Sequence, residues 1–252
     1  MSSAETVVVV ERHDAVALVR LNRPAARNAM NAELAQATID AIEASQDAGA
    51  IVITGTDPAF CAGLDLRDLG VPKLMDLPRF TAAAAGSAVP IIAAVNGPAV
   101  TGGFELALAC DLMVASDRAR FADTHLRVGV YPGPVLVDLP RRVGPAWARE
   151  MSLTGNFVDA ETALRIGLVN HVVAHADLVP YALDLAAAMA DQPRDMVVAM
   201  REDWNRTDRL PVAEAHASHH EFAGTKGFRD STAADLASHR TDVIARAHRQ
   251  LG

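Results

Sequence analysis

Three runs in this chain, IVIT (51–54), PIIAAVNG (90–97) and DLMVAS (111–116), are apolar or small almost throughout, with no polar alternation. A strand with one face in water alternates. A short continuous apolar run is buried on both faces, as in a parallel sheet covered by helices. The intervening segments agree with this. Asn31 reads as a helix N-cap ahead of AELAQATIDAIEAS. Phe80–Ala88 is alanine-rich and reads as helix, as does GGFELALAC (102–110). Strand and helix alternate, so the expected class is α/β with parallel pairing. Ahead of this core, TVVVVERHDAVALVRLNRP (6–24) reads as two valine-rich strands joined by a turn near His13 and Asp14 and stopped by Pro24.

After about Pro132 the pattern becomes mainly helical, with apolar residues at helical spacing over Leu178–Ala190, Asp195–Asn205 and Val212–Phe222. Asp191-Gln192-Pro193 marks a change of character. It divides a core, residues 1–190, from a helical segment, residues 191–252. Length fits that organisation, since 252 residues make one large domain or a core with an appendage. The net charge of −8 argues against a nucleic-acid partner, whose footprint is basic. The two cysteines, Cys61 and Cys110, lack the spacing of a metal site and read as reduced thiols. The N-terminus carries an acid before a short apolar run, unlike a signal peptide. No apolar stretch reaches the roughly 18–20 residues of a membrane span. A cytoplasmic protein with no membrane partner is therefore expected.

Glu105 is the anomaly, a carboxylate inside the apolar stretch VNGPAVTGGFELALACD (95–111). Burying an ionised carboxylate is costly unless it is paired or its pKa moves. A capping box does not explain it, because Phe104, not Glu105, stands three residues after Thr101. The helix dipole alone favours an acid in a first turn, so a structural role stays open beside a chemical one. Gly102 and Gly103 open the helix and expose its unpaired N–H groups to a negative oxygen. A second small-residue loop, Phe60-Cys61-Ala62-Gly63-Leu64-Asp65, also follows a buried strand. Two N–H groups converging from such loops form an oxyanion hole.

The chain resembles the crotonase superfamily, the enoyl-CoA hydratase/isomerase family, in four stretches that keep the family's order and spacing. These are LNRPAARNAMN (21–31), AFCAGLDLRDL (59–69), VNGPAVTGGFELALACDLMVAS (95–116) and LTGNFVDAETALRIGLVNHVV (153–173). The resemblance implies a spiral of ββα units, a helical C-terminal trimerisation segment, and a homotrimer or dimer of trimers. It implies acyl-CoA thioester ligands and no cofactor or metal beyond the coenzyme A of the substrate. By position it puts the oxyanion-hole N–H groups on Leu64 and Gly102 and the first catalytic glutamate on Glu105. Ala62, Gly63, Asp65 and Gly103 fall in the two substrate-contacting loops. Arg67 occupies a spot for a base that meets CoA phosphates, and Arg23 and Arg27 lie in the loop bordering the adenine and phosphates.

The departure lies in ARFADTHLRVGVYPG (119–133), where the family's hydratases carry a second glutamate and this chain has His125, with Asp123 two residues earlier. Histidine serves as acid or base near neutrality, so a Glu105/His125 pair remains workable. A histidine that merely lines the pocket is the plainer reading. Tyr131 is a candidate for the acyl pocket or a packing residue. HASHHE (216–221) places His216 near His219 and His220 on one helix face, but with no third ligand set a metal is not expected. No GxSxG elbow, P-loop or GxGxxG fingerprint occurs. The expectation is an enoyl-CoA hydratase. Its rivals are a double-bond isomerase using Glu105 alone and a non-catalytic acyl-CoA-binding protein.

Overall fold

The computed structural model describes residues 6–65, 67, 79–208, 210–227, 240 and 244–245. The chain divides into two compact units, Met1–Val198 and Ala199–Gly252. In the first, β1 (Val8–His13) and β2 (Val16–Leu21) form the expected hairpin, and Asp14 takes the positive φ of 50° that its tight turn requires. Helix α1 (Ala32–Glu43) follows, and the Asn31 side chain accepts the Leu34 N–H at 2.8 Å. This is the N-cap read from the sequence.

The apolar runs become β3 (Ala50–Gly55), β4 (Ile91–Val95) and β6 (Leu112–Ser116). They pair in parallel within a six-stranded sheet of order β1-β2-β3-β4-β6-β9, where β9 is His171–Val173. Their lack of alternation has a direct cause, because both faces are covered. Ala17, Val19, Ile51, Ile53, Ile91, Ala93 and Met113 join a core with Leu34 and Ile42 of α1. The intervening Leu18, Val52, Ile92, Ala94 and Val114 pack on Leu178, Ala182 and Ala186 of α6 (Leu178–Ala190). Each fully buried Ile or Val stabilises the fold by about 1.5–3 kcal/mol.

A second sheet of short strands, β5 (Pro98–Val100), β7 (Arg120–Ala122) and β8 (Val158–Asp159), completes the ββα repeat. Strand β4 leads through β5 to α3 (Gly102–Leu108), and β6 leads through β7 to α4 (Val135–Thr154). Helix α2 (Arg79–Ala85) precedes β4, and α5 (Ala160–Arg165) follows β8. Helix α4 is two helices meeting at Gly144, whose φ of 77° breaks the run before Pro145. The stretch after Pro132 is thus less uniformly helical than its pattern suggests. Strands β8 and β9 span only two and three residues, too few for a period to register.

Helix α7 (Arg194–Thr207) and α8 (Val212–Thr225) agree with the periodic segments read there. Within the second unit His219 Nδ1 meets Asp203 Oδ2, Arg206 lies over the Phe222 ring, and Lys226 pairs with Glu202. His216 and His219 border a groove with Met200 and Trp204. Among the described residues no helix is long and apolar enough to cross a membrane, and no three His, Cys, Asp or Glu side chains are placed to hold a metal ion.

Candidate active site

The two glycine loops meet. Gly63 has φ 94°, and a β-carbon there would lie 2.0 Å from Thr101 Oγ1, so no L side chain fits. A β-carbon on Gly103 would lie 2.3 Å from the Cys61 carbonyl oxygen, so glycine lets α3 sit directly on that loop. Cys61 and Cys110 are buried, reduced thiols, and burial pushes Cys61 up to about 12, leaving it unreactive. Thr101, between β5 and α3, is held at φ 45° and ψ −117°, a strained conformation for a residue with a side chain.

The hydrogen bonding around the loops aims two amides. Met30 N donates to Gly63 O at 2.7 Å and Asp65 N donates to Met30 O at 2.9 Å. This parallel bridge turns the Leu64 N–H to the opposite side. Gly102 opens α3, where an N–H has no intrahelical acceptor. A β-carbon on Gly102 would lie 3.5 Å from Leu64 Cδ2, so the two residues are neighbours.

Glu105 sits in the first turn of α3 and is 8% exposed. Its Oε1 accepts the Val135 N–H at 3.3 Å, at the start of α4, and the Gly133 amide also faces it. Burial raises the Glu105 pKa above the carboxylate range. The charge on His125 and the Val135 amide oppose that rise, and the charge on Asp123 adds to it.

His125 begins a 3-10 turn over His125–Val128 and is 5% exposed. Its Nδ1 lies 2.6 Å from Asp123 Oδ1, and its main-chain N–H donates to the same oxygen at 3.3 Å. Burial alone would lower the imidazole pKa. The bond to Asp123 and the charges of Glu105 and Asp123 outweigh it and raise the pKa above the ordinary value. Asp123 is fully buried, which by itself would raise its pKa. The bond from His125, the Ser152 hydroxyl and the imidazole charge bring it below the usual range instead. A cavity of about 110 Å³ is lined by Ala62, Leu64, Thr101, Thr124, His125, Val128 and Val130.

Of the residues expected from sequence, Ala62, Leu64 and His125 line this cavity, Gly63, Gly102 and Gly103 pack on the same two loops, and Glu105 faces His125 electrostatically. Tyr131 does not join them. It is 84% exposed and outside the cavity lining. Val130 lines the cavity, whereas the neighbouring Tyr131 side chain faces solvent. Arg23 is tied within the fold, since it donates to Ala29 O and pairs with Asp65 at 3.2 Å. Asp65 also accepts the Arg67 main-chain N–H at 3.2 Å. Arg27 and Arg67 are exposed. Of the segment Val71–Ala85, on which the depth of an acyl pocket would depend together with the C-terminal tail, residues 71–78 lie outside the described residues.

Two residues acquire roles that sequence reading passed over. Asp123, two residues before the position of the family's second glutamate, is the partner of His125. The signal was there, because an aspartate bonding the backbone two residues on is a common local turn. Asn28 is fully buried at φ 54° and ties three main-chain groups together.

Comparison with known proteins adds a lineage. A model of the enoyl-CoA hydratase/isomerase family matches residues 11–231. A probable enoyl-CoA hydratase of Mycobacterium leprae is 36% identical over 216 residues, 82% of this chain and 84% of that protein. A probable enoyl-CoA hydratase of Rhizobium meliloti is 39% identical over 221 residues, 84% of this chain and 86% of its own. The crystal structure of an enoyl-CoA hydratase from Mycobacterium smegmatis superposes with a TM-score of 0.86 at 30% identity, covering 94% of this chain and 97% of that one.

Proposed function

Because the chain belongs to the enoyl-CoA hydratase/isomerase family, we propose that it adds water across the double bond of 2-enoyl-CoA thioesters to give 3-hydroxyacyl-CoA. The observation that carries this reading is the buried pair Glu105 and His125, in electrostatic contact, with His125 lining a cavity bordered by Leu64. Hydration needs one group to take a proton from water and another to protonate the α-carbon. Two titrating groups in electrostatic contact, both with raised pKa, supply that pair. The Leu64 and Gly102 N–H groups hold the thioester oxygen as it gains enolate charge, and helix α3 adds its positive end. The substrate carries its own coenzyme A, and the chemistry asks for no other cofactor. Of the three arginines expected there, Arg27 and Arg67 are exposed and available to its phosphates, whereas Arg23 is engaged with Asp65. The expected assembly is a homotrimer or a dimer of trimers, which light scattering of the purified protein tests.

The test of activity is direct. Crotonyl-CoA should lose the absorbance of its conjugated thioester when the protein is added. Glu105→Gln should lower kcat by about 10²–10⁴-fold with KM little changed. An unaltered kcat in this variant removes Glu105 from the chemistry. A 3-enoyl-CoA that instead gains the conjugated absorbance identifies an isomerase.

A further inference from the structure

We propose that Asp123 is a positioning residue that fixes His125 as the proton donor to the substrate α-carbon, leaving Glu105 as the base that activates water. This division of labour rests on the hydration reading above. An imidazole has two ring nitrogens, and Asp123 occupies Nδ1 at 2.6 Å. The same Oδ1 takes the main-chain N–H of His125, so ring and backbone are anchored to one fully buried oxygen. Nε2 is then the nitrogen left for the cavity that His125 lines.

Charge assigns the proton. Two buried acids flank the imidazole, Glu105 from α3 and Asp123 at the end of β7. Ser152 of α4 is neutral and acts on Asp123. Arg127, in the same turn as His125, is engaged with Thr154 O and Asn156. A protonated imidazole therefore offsets one of two buried negative charges, whereas a neutral one leaves both unopposed. Glu105 is suited to the complementary task. Its Oε1 accepts the Val135 N–H and its carboxyl faces the Gly133 amide, which favours the ionised form, while burial keeps it basic enough to take a proton.

The step then balances. The Glu105 carboxylate takes a proton from water as the water oxygen bonds to the β-carbon. The π pair of the double bond moves toward the thioester, whose oxygen becomes the enolate held by the Leu64 and Gly102 amides. The enolate collapses, and the α-carbon takes the proton from Nε2 of His125. Glu105 ends protonated and His125 neutral, and one proton passing from the first to the second restores the starting state.

The test uses Asp123→Asn, which keeps a hydrogen-bond acceptor of the same size and removes the charge. The expected result is a fall in kcat of about tenfold or more with KM within about twofold. The alkaline limb of the kcat profile should also move to lower pH, because an imidazole without its carboxylate loses its proton sooner. In a His125→Gln background, Asp123→Asn should change kcat by less than about twofold, because its effect runs through the missing ring. An equal loss in both backgrounds means that Asp123 only supports the fold, and overturns the proposal. Should Asp123→Asn fail to fold, His125→Gln alone decides, because an alkaline limb that survives this variant also overturns it. A wild-type protein silent toward crotonyl-CoA is a different failure and sinks the hydration reading itself.

Discussion

Asn28 offers the sharpest check on how the site is built. Its Nδ2 donates to Thr56 O at 2.8 Å and Ala59 O at 2.7 Å, and its Oδ1 accepts the Arg23 N–H at 2.8 Å. The residue is fully buried, so water cannot replace these bonds. Two residues on, Met30 bridges the loop that aims the Leu64 amide. Asn28→Ala deletes three hydrogen bonds, a loss of about 3 kcal/mol at about 1 kcal/mol each. It also leaves alanine at a φ of 54°, where asparagine is better tolerated, adding about 1 kcal/mol. The total of about 4 kcal/mol is a large share of a typical stability of about 5–15 kcal/mol. With a urea dependence of about 3 kcal/mol per molar, the unfolding midpoint should fall by about 1.3 M. Asn28→Gly loses the same bonds without the strain and should recover about 1 kcal/mol. Urea titrations followed by circular dichroism compare the variants, and crotonyl-CoA turnover in the absence of urea shows whether Leu64 has moved. An Asn28→Ala midpoint within about 0.3 M of wild type, equivalent to about 1 kcal/mol, would refute the reasoning.

Two further outcomes follow from the buried charges. His125→Glu adds a carboxylate beside Asp123 and takes away its partner, so it should cost about 3 kcal/mol in urea unfolding. Adding Asp123→Asn to that variant should restore most of the stability, and no recovery would mean that repulsion is not the cause. The pH dependence of stability has a definite sign. The raised His125 pKa contributes stability that is complete below the ordinary imidazole value and lost as pH rises through the raised one. Asp123, with its lowered pKa, acts in the opposite sense at acid pH, where its contribution disappears as pH falls through that value. Wild-type Tm should therefore decline as pH rises above the ordinary imidazole value more steeply than that of His125→Gln. Parallel curves in calorimetry would contradict the assignment.

The amino-acid sequence by itself determined whatever depends on near neighbours or on a period. Continuous apolar runs became β3, β4 and β6 because both sheet faces are covered, Asn31 caps α1, and Asp14 turns the first hairpin. The glycine pairing was legible too, because steric room beside a buried strand is a property of residue type. Only the tertiary structure decided which side chains meet and where they point. Arg23 and Asp65, 42 residues apart, join in one ion pair, and Glu105 meets an amide 30 residues away. Asp123 engages His125 from two residues away, yet that bond acquires meaning only once both are sealed beside Glu105. Tyr131 faces outward because backbone direction, not composition, sets the side on which a residue lies. Contacts between distant segments arise from the path of the whole chain, and no local pattern encodes that path.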